Sequence, residues 1–142
     1  MNSKRIGNIG EAKVLAKFVE MGMPVYIPFG DNEKADLVAE FNGKLNKIQI
    51  KTSVKSNNGC SMFHLTSSTA HRTNGSRHKY SINEIDYFAL YSLDRDKIYL
   101  MKVPEIPMTY ITIRFEETKS GKKIGVNYED DFLIENVLKN SK

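Results

Sequence analysis

The sequence predicts an α/β fold, with one mixed β-sheet and flanking helices. Three observations carry that reading. Residues 4–22 hold Val14, Leu15, Phe18 and Val19 on one stripe at helical spacing. Residues 36–52 carry two strand-like runs joined by Asn42-Gly43, the dipeptide that most favours a two-residue hairpin turn. Residues 85–103 repeat the strand pattern, as IDYFALY and then IYLMKV around the tight turn LDRDK.

In the first helix Ala12 and Ala16 favour the helical state, and Gly22 can end it. Met23-Pro24 leads into a short strand at Val25–Ile27, and Pro28 to Lys34 reads as a polar loop. The hairpin strands are Asp36–Phe41 and Lys44–Thr52. Beyond Thr52 the chain is rich in Ser, Thr, Asn and Gly, which predicts a loop region near 52–83 with a short helix near His64–His71. Strands follow at Ile85–Tyr91 and Ile98–Val103, stopped by Pro104 and Pro107. Tyr110–Phe115 alternates as an edge strand, and Tyr128–Leu138 reads as a closing amphipathic helix. At 142 residues the expectation is a single domain over 1–142.

No apolar run approaches the length of a membrane span, so no membrane partner is expected. The opening MNSKRIGNIGEAK has no uninterrupted apolar segment of the signal-peptide kind, so the expected compartment is the cytoplasm. Cys60 is the one cysteine, which excludes an intramolecular disulfide and a cysteine-built zinc site. His64, His71 and His78 lack zinc-ligand spacing.

The net charge of +4 is unevenly placed. From Phe41 to Asn83 there is no Asp or Glu, while Lys44, Lys47, Lys51, Lys55, Arg72, Arg77 and Lys79 all fall there; the rest of the chain is net −3. One positive face of this kind is the electrostatic footprint of a nucleic-acid partner.

The hairpin can be tested for chemistry. With Phe41 paired to Lys44, Asp36 falls opposite Gln49, and strand periodicity puts Lys51 on the same face. Leu37, Ile48 and Ile50 then point the other way. A carboxylate and an amide carbonyl can hold a hard divalent cation, and the ammonium can hold a phosphate or position a water. Glu11 in the first helix is the candidate second carboxylate, beside glycines (Gly7, Gly10) that permit close helix–sheet approach. Metal, phosphate and positioned water together make phosphodiester hydrolysis feasible. The same residues also occur as ordinary decoration of a surface hairpin; the acid-free basic window beside them favours the catalytic reading.

The order Glu11, Asp36 and Gln49-Ile50-Lys51, with IGNIGEAKVLAKFVEMGMPVYIPFGDNEKADLVAE, KIQIKTS and YSINEIDYFALYSLDRDKIYLMKV around it, resembles the PD-(D/E)xK nuclease superfamily. Within it the chain is most similar to the homing endonucleases encoded in bacterial group I introns, and more distantly to archaeal Holliday junction resolvases. The resemblance covers roughly residues 4–103. It implies a restriction-endonuclease-like core, with Glu11, Asp36, Gln49 and Lys51 as catalytic residues. Glu11, Asp36 and Gln49 would hold Mg²⁺, or Mn²⁺ in its place. Gln49 stands where the superfamily usually has Asp or Glu, and Ala35 where it usually has proline.

The resemblance further implies double-stranded DNA as the partner and substrate, with no small-molecule substrate, in a bacterial, nucleoid-associated setting. Lys55, His64, Arg72, Arg77, His78 and Lys79 are the candidate DNA contacts, and Tyr80 joins them from the YSINEIDYF segment. Cutting both strands with one centre per chain calls for a homodimer or homotetramer. Three functions stay open at this point: a homing-type endonuclease, a junction-resolving nuclease, and a DNA-binding protein without catalysis.

Overall fold

The computed structural model describes residues 1–30, 33–68, 77–121 and 124–141, with residues 68 and 77 described by their backbone alone. Helix α1 (Ser3–Glu20) opens on Asn2, whose Oδ1 accepts the Arg5 N–H at 2.8 Å. It closes where Met21 and Met23 bond back to Lys17 and Phe18 around Gly22, at φ +78. The predicted helix is therefore present. Its buried stripe is narrower than expected, running Gly10, Val14 and Phe18. Val19 stands 60% exposed, because α1 meets the sheet along a line of period four.

The main sheet has the order β1–β2–β3–β7–β8. Its strands are β1 (Val25–Tyr26), β2 (Leu37–Phe41), β3 (Lys44–Ser53), β7 (Tyr87–Ser92) and β8 (Lys97–Lys102). The β2–β3 turn is the expected one, since Asn42 and Gly43 both take positive φ, 55 and 71. Phe41 pairs with Lys44 and Leu37 with Ile48, which is the register read from the sequence. On its other side β3 runs parallel to β7, from Ile48 opposite Tyr87 to Ser53 opposite Ser92. The sheet is therefore mixed.

Two further ribbons come from the segment between β3 and β7 and from the chain after β8. β4 (Cys60–His64) pairs with β9 (Tyr110–Arg114), and β5 (Thr66–Ser68) pairs with β6 (Arg77–Lys79). The short helix expected near His64–His71 is not formed over residues 64–68, which are extended; residues 69–71 lie outside the described residues. Ser61, Phe63 and Leu65 alternate as fully buried positions, a period-two pattern that the surrounding polar residues obscured. The expected Tyr110–Phe115 edge strand exists as β9, but it belongs to the β4 ribbon rather than to the main sheet.

The predicted closing helix shrinks to a 3₁₀ turn (Glu129–Asp131) and α2 (Ile134–Val137). Its middle is used otherwise: the Phe132 carbonyl accepts the Leu100 N–H and Leu133 bridges to Tyr99, at the edge of β8.

The sheet carries a core on each face. On the α1 side Val14, Phe18, Phe41, Ile48, Tyr87 and Ile134 pack together, with the Phe18 and Phe41 rings stacked 6.0 Å apart. On the ribbon side Phe63, Leu65, Tyr80, Phe88, Leu90 and Ile113 pack together. Burying a side chain of this size contributes roughly 1.5–3 kcal/mol. Gln49 and Lys51, opposite Phe88 and Leu90 in the β3–β7 register, lie on the ribbon side.

Candidate active site

Two aspartates, each just before a strand, cap β3 on its two edges. At one edge Asp86 Oδ2 accepts the Lys47 N–H at 2.8 Å where β7 begins. At the other, Asp36 donates its own N–H to the Ile48 carbonyl at 2.8 Å. Its Oδ2 then accepts the Ile50 N–H, again at 2.8 Å, beyond the last β2–β3 pair. The half-buried Asp36 carboxylate is thus fixed by the sheet rather than by its own rotamer alone.

Helix α1 supplies the second carboxylate. A Cβ on Gly10 would overlap Thr52 Oγ1, so glycine is what lets α1 lie this close to β3. Gly7 has open space around it and plays no such part. The next residue after Gly10 is Glu11, whose carboxyl comes within hydrogen-bonding reach of Asp36. Burial, and then the Asp36 charge and hydrogen bond, push the Glu11 carboxyl above its ordinary range. Burial also raises Asp36, against the lowering effects of the Ile50 N–H, the Lys51 charge and the Glu11 hydrogen bond.

Lys51 completes the cluster. Its Nζ donates to the Thr66 carbonyl on β5 at 2.9 Å and lies 5.3 Å from the centre of the Tyr80 ring. A cleft of about 500 Å³ opens beside it, lined by Lys51, Lys55, Asn57, Met62, His64 and Thr66. Gln49 is half-buried, one strand repeat before Lys51 on the same face.

The donor set fits a hard divalent cation. Burial holds both carboxyls above their ordinary range, the Asp36 charge raises Glu11 further, and a cation would favour the charged form of each. Among the described residues no three His, Cys, Asp or Glu side chains cluster. A cation held here would draw on Glu11 and Asp36, with the Gln49 amide oxygen, water or substrate oxygens completing it.

The expected DNA contacts divide. Lys55 is exposed beside the cleft, and Lys79 is exposed on β6. His78 is half-exposed, and its Nε2 lies 2.6 Å from Glu84 Oε2. Burial pushes the Glu84 carboxyl up, but the Ser81 N–H and His78 outweigh it and hold that group below its ordinary range. Arg72 lies outside the described residues, and Arg77 is described only through its backbone in β6. Tyr80 is 5% exposed and packs edge-on against Phe88 and His78. A ring so buried offers no face to DNA, and the contact expected of Tyr80 is replaced by one beneath Lys51.

Sequence reasoning missed Thr66 altogether. Its contact runs through a main-chain carbonyl, which leaves no signature in residue type.

A profile of the PD-(D/E)XK endonuclease family matches residues 1–135. The chain belongs to that family. Its members are nucleases that generally use divalent metals. The solved structure of a bacterial homing endonuclease, I-Ssp6803I, superposes with a TM-score of 0.71 at 26% identity, over 87% of this chain and 84% of that one. No curated protein sequence matches. Among the described residues no helix of this family member is long and apolar enough to cross a membrane.

Proposed function

We propose that this PD-(D/E)XK family member is a site-specific, homing-type endonuclease that hydrolyses double-stranded DNA with Mg²⁺, Mn²⁺ being able to substitute. The observation that carries the reading is the Glu11–Asp36 carboxyl pair lying beside the Lys51 ammonium at the end of β3. The similarity to a bacterial homing endonuclease and the acid-free basic window support the substrate.

The chain's own residues would act as follows. Asp36, locked by the Ile50 N–H, presents one oxygen at a constant position. Glu11 presents the second carboxylate from the helix, and the Gln49 amide adds a neutral oxygen. A divalent ion bound there supplies charge stabilisation at the phosphoryl group and a more acidic water. Lys51 holds the non-bridging oxygens of the scissile phosphate, where negative charge grows as the bond breaks. Lys55 and Lys79 neutralise neighbouring phosphates and set the register of the duplex. Two such chains, as a homodimer or within a homotetramer, would present one centre to each strand. We place this activity in the bacterial cytoplasm, on chromosomal DNA.

The test is cleavage of a randomised duplex library in Mg²⁺, in Mn²⁺ and in EDTA, with four-way junction DNA alongside. Discrete duplex ends that need metal support the proposal. Cutting confined to junctions reassigns the chain as a resolvase-like nuclease. Binding without cleavage makes it a DNA-binding protein that has lost its chemistry.

A further inference from the structure

We propose that Tyr80 and the Thr66 main-chain carbonyl form a cradle that aims the Lys51 ammonium, which makes the β5–β6 ribbon a positioning element of the active site. The proposal rests on the nuclease reading for its catalytic consequence, but the cradle itself is a property of the free protein.

The residues involved come from three separate strands or strand ends. Lys51 lies near the end of β3, Thr66 begins β5, and Tyr80 follows β6. β5 and β6 hold each other in register, with Thr66 opposite Lys79, so the carbonyl and the ring are delivered by the same ribbon. The ring is anchored independently of Lys51. It packs edge-on against Phe88 of β7 at 5.7 Å and against His78 at 5.3 Å. His78 is in turn tied to Glu84, and Glu84 accepts the Ser81 N–H at 3.1 Å. Both sides of Tyr80 are therefore pinned before Lys51 is considered.

A lysine side chain is a flexible four-carbon stem ending in a point charge, so its head is ordinarily poorly located. A carbonyl oxygen at 2.9 Å gives one N–H a fixed direction. A ring face within about 6 Å attracts the remaining charge without taking a proton or adding a counter-charge. Together they locate the ammonium near Asp36 while leaving it positive. For a group that must meet a transition-state oxygen, a misplacement of about 1 Å costs on the order of 100-fold in rate. Tyr80 and Thr66 are positioning residues in this scheme, since neither touches the reacting atoms.

The test has two readouts, one of which needs no nuclease activity. In the folded wild-type protein, the Lys51 ε-CH₂ resonance should lie upfield of the other lysines through the Tyr80 ring current. In Tyr80→Leu that displacement should vanish, and the single-turnover cleavage rate should fall by about 30–100-fold while DNA affinity stays within about threefold. Tyr80→Phe keeps the ring and should restore most of the rate, which also separates lost aim from lost folding. The cradle is overturned if the Lys51 resonance is the same in wild type and Tyr80→Leu. It is equally overturned if Tyr80→Leu cuts at the wild-type rate, or loses rate and affinity in parallel. Wild type that cuts no DNA at all would sink the nuclease reading, and the spectra would still decide the cradle.

Discussion

The Asp36 carboxylate accepts the Ile50 main-chain N–H at 2.8 Å, just where the β2–β3 ladder runs out. A side chain thereby takes the place of a strand, and the acid that the chemistry needs is held by the sheet. Lys51 is the residue after Ile50, so the same few atoms of β3 place both the carboxylate and the ammonium. Lys51→Ala should therefore lower single-turnover cleavage by about 10²–10³-fold, as loss of an oxyanion donor does, with DNA binding nearly unchanged. Rapid-quench cleavage and a filter-binding isotherm check the two halves. Equal losses in both would show that Lys51 serves binding.

Gly10 makes the helix–sheet approach that brings Glu11 to Asp36. Gly10→Ala would drive a methyl into Oγ1 of Thr52, a β-branched side chain that is stiff at χ1. Destabilisation of about 1–3 kcal/mol is expected, together with slower cleavage as Glu11 withdraws. The double variant Gly10→Ala/Thr52→Ala should recover part of both. Urea denaturation of the four proteins in this cycle measures the coupling. Purely additive effects would show that Thr52 is not the obstacle.

The raised carboxyls at Glu11 and Asp36 have a consequence for stability. The folded chain binds these protons more tightly than the unfolded chain does, so stability declines as pH rises from the ordinary carboxylate range through the raised values. The penalty is complete above that window and absent below it. Glu11→Gln should accordingly raise the metal-free Tm near neutral pH, by a small amount because water screens the exposed side chain. The gain should disappear below the ordinary Glu value of 4.5. Mg²⁺ should stabilise wild type more than the variant. Thermal melts across pH, with and without Mg²⁺, read all three outcomes. A gain that is independent of pH would contradict the pairing.

Lys55 and Lys79 are exposed cations near the cleft and on β6. If each neutralises one phosphate, either alanine variant should lessen the slope of log affinity against log salt by about one, uniformly across DNA sequences. Fluorescence anisotropy over a salt series measures that slope. An unchanged slope would place the lysine off the DNA.

Much of this architecture was legible in the residues because it depends on local rules. Asn42-Gly43 set the hairpin register, and that register alone put Asp36, Gln49 and Lys51 on one face. The glycine before Glu11 was legible too, though only Gly10 of the two makes the close approach. What escaped depends on distant partners. Residues 60–68 are strands because Phe63, Leu65 and Ile113 cover the second face of the sheet, and their polar neighbours hid the alternation. The closing helix was cut short because Phe132 and Leu133 bond to the edge of β8 instead. The resemblance carried by the YSINEIDYF segment put Tyr80 among the DNA contacts, whereas packing on Phe88 turned its ring inward.

The most direct test of the central claim compares wild type with Asp36→Ala on a cleavable duplex, under single-turnover conditions at matched DNA occupancy. Binding would be measured in Ca²⁺ and cleavage started with Mg²⁺. The account predicts discrete ends from wild type only with metal, and bound but intact DNA from Asp36→Ala. Cleavage by Asp36→Ala at the wild-type rate would contradict it, and would move the catalytic centre away from the Glu11–Asp36 pair.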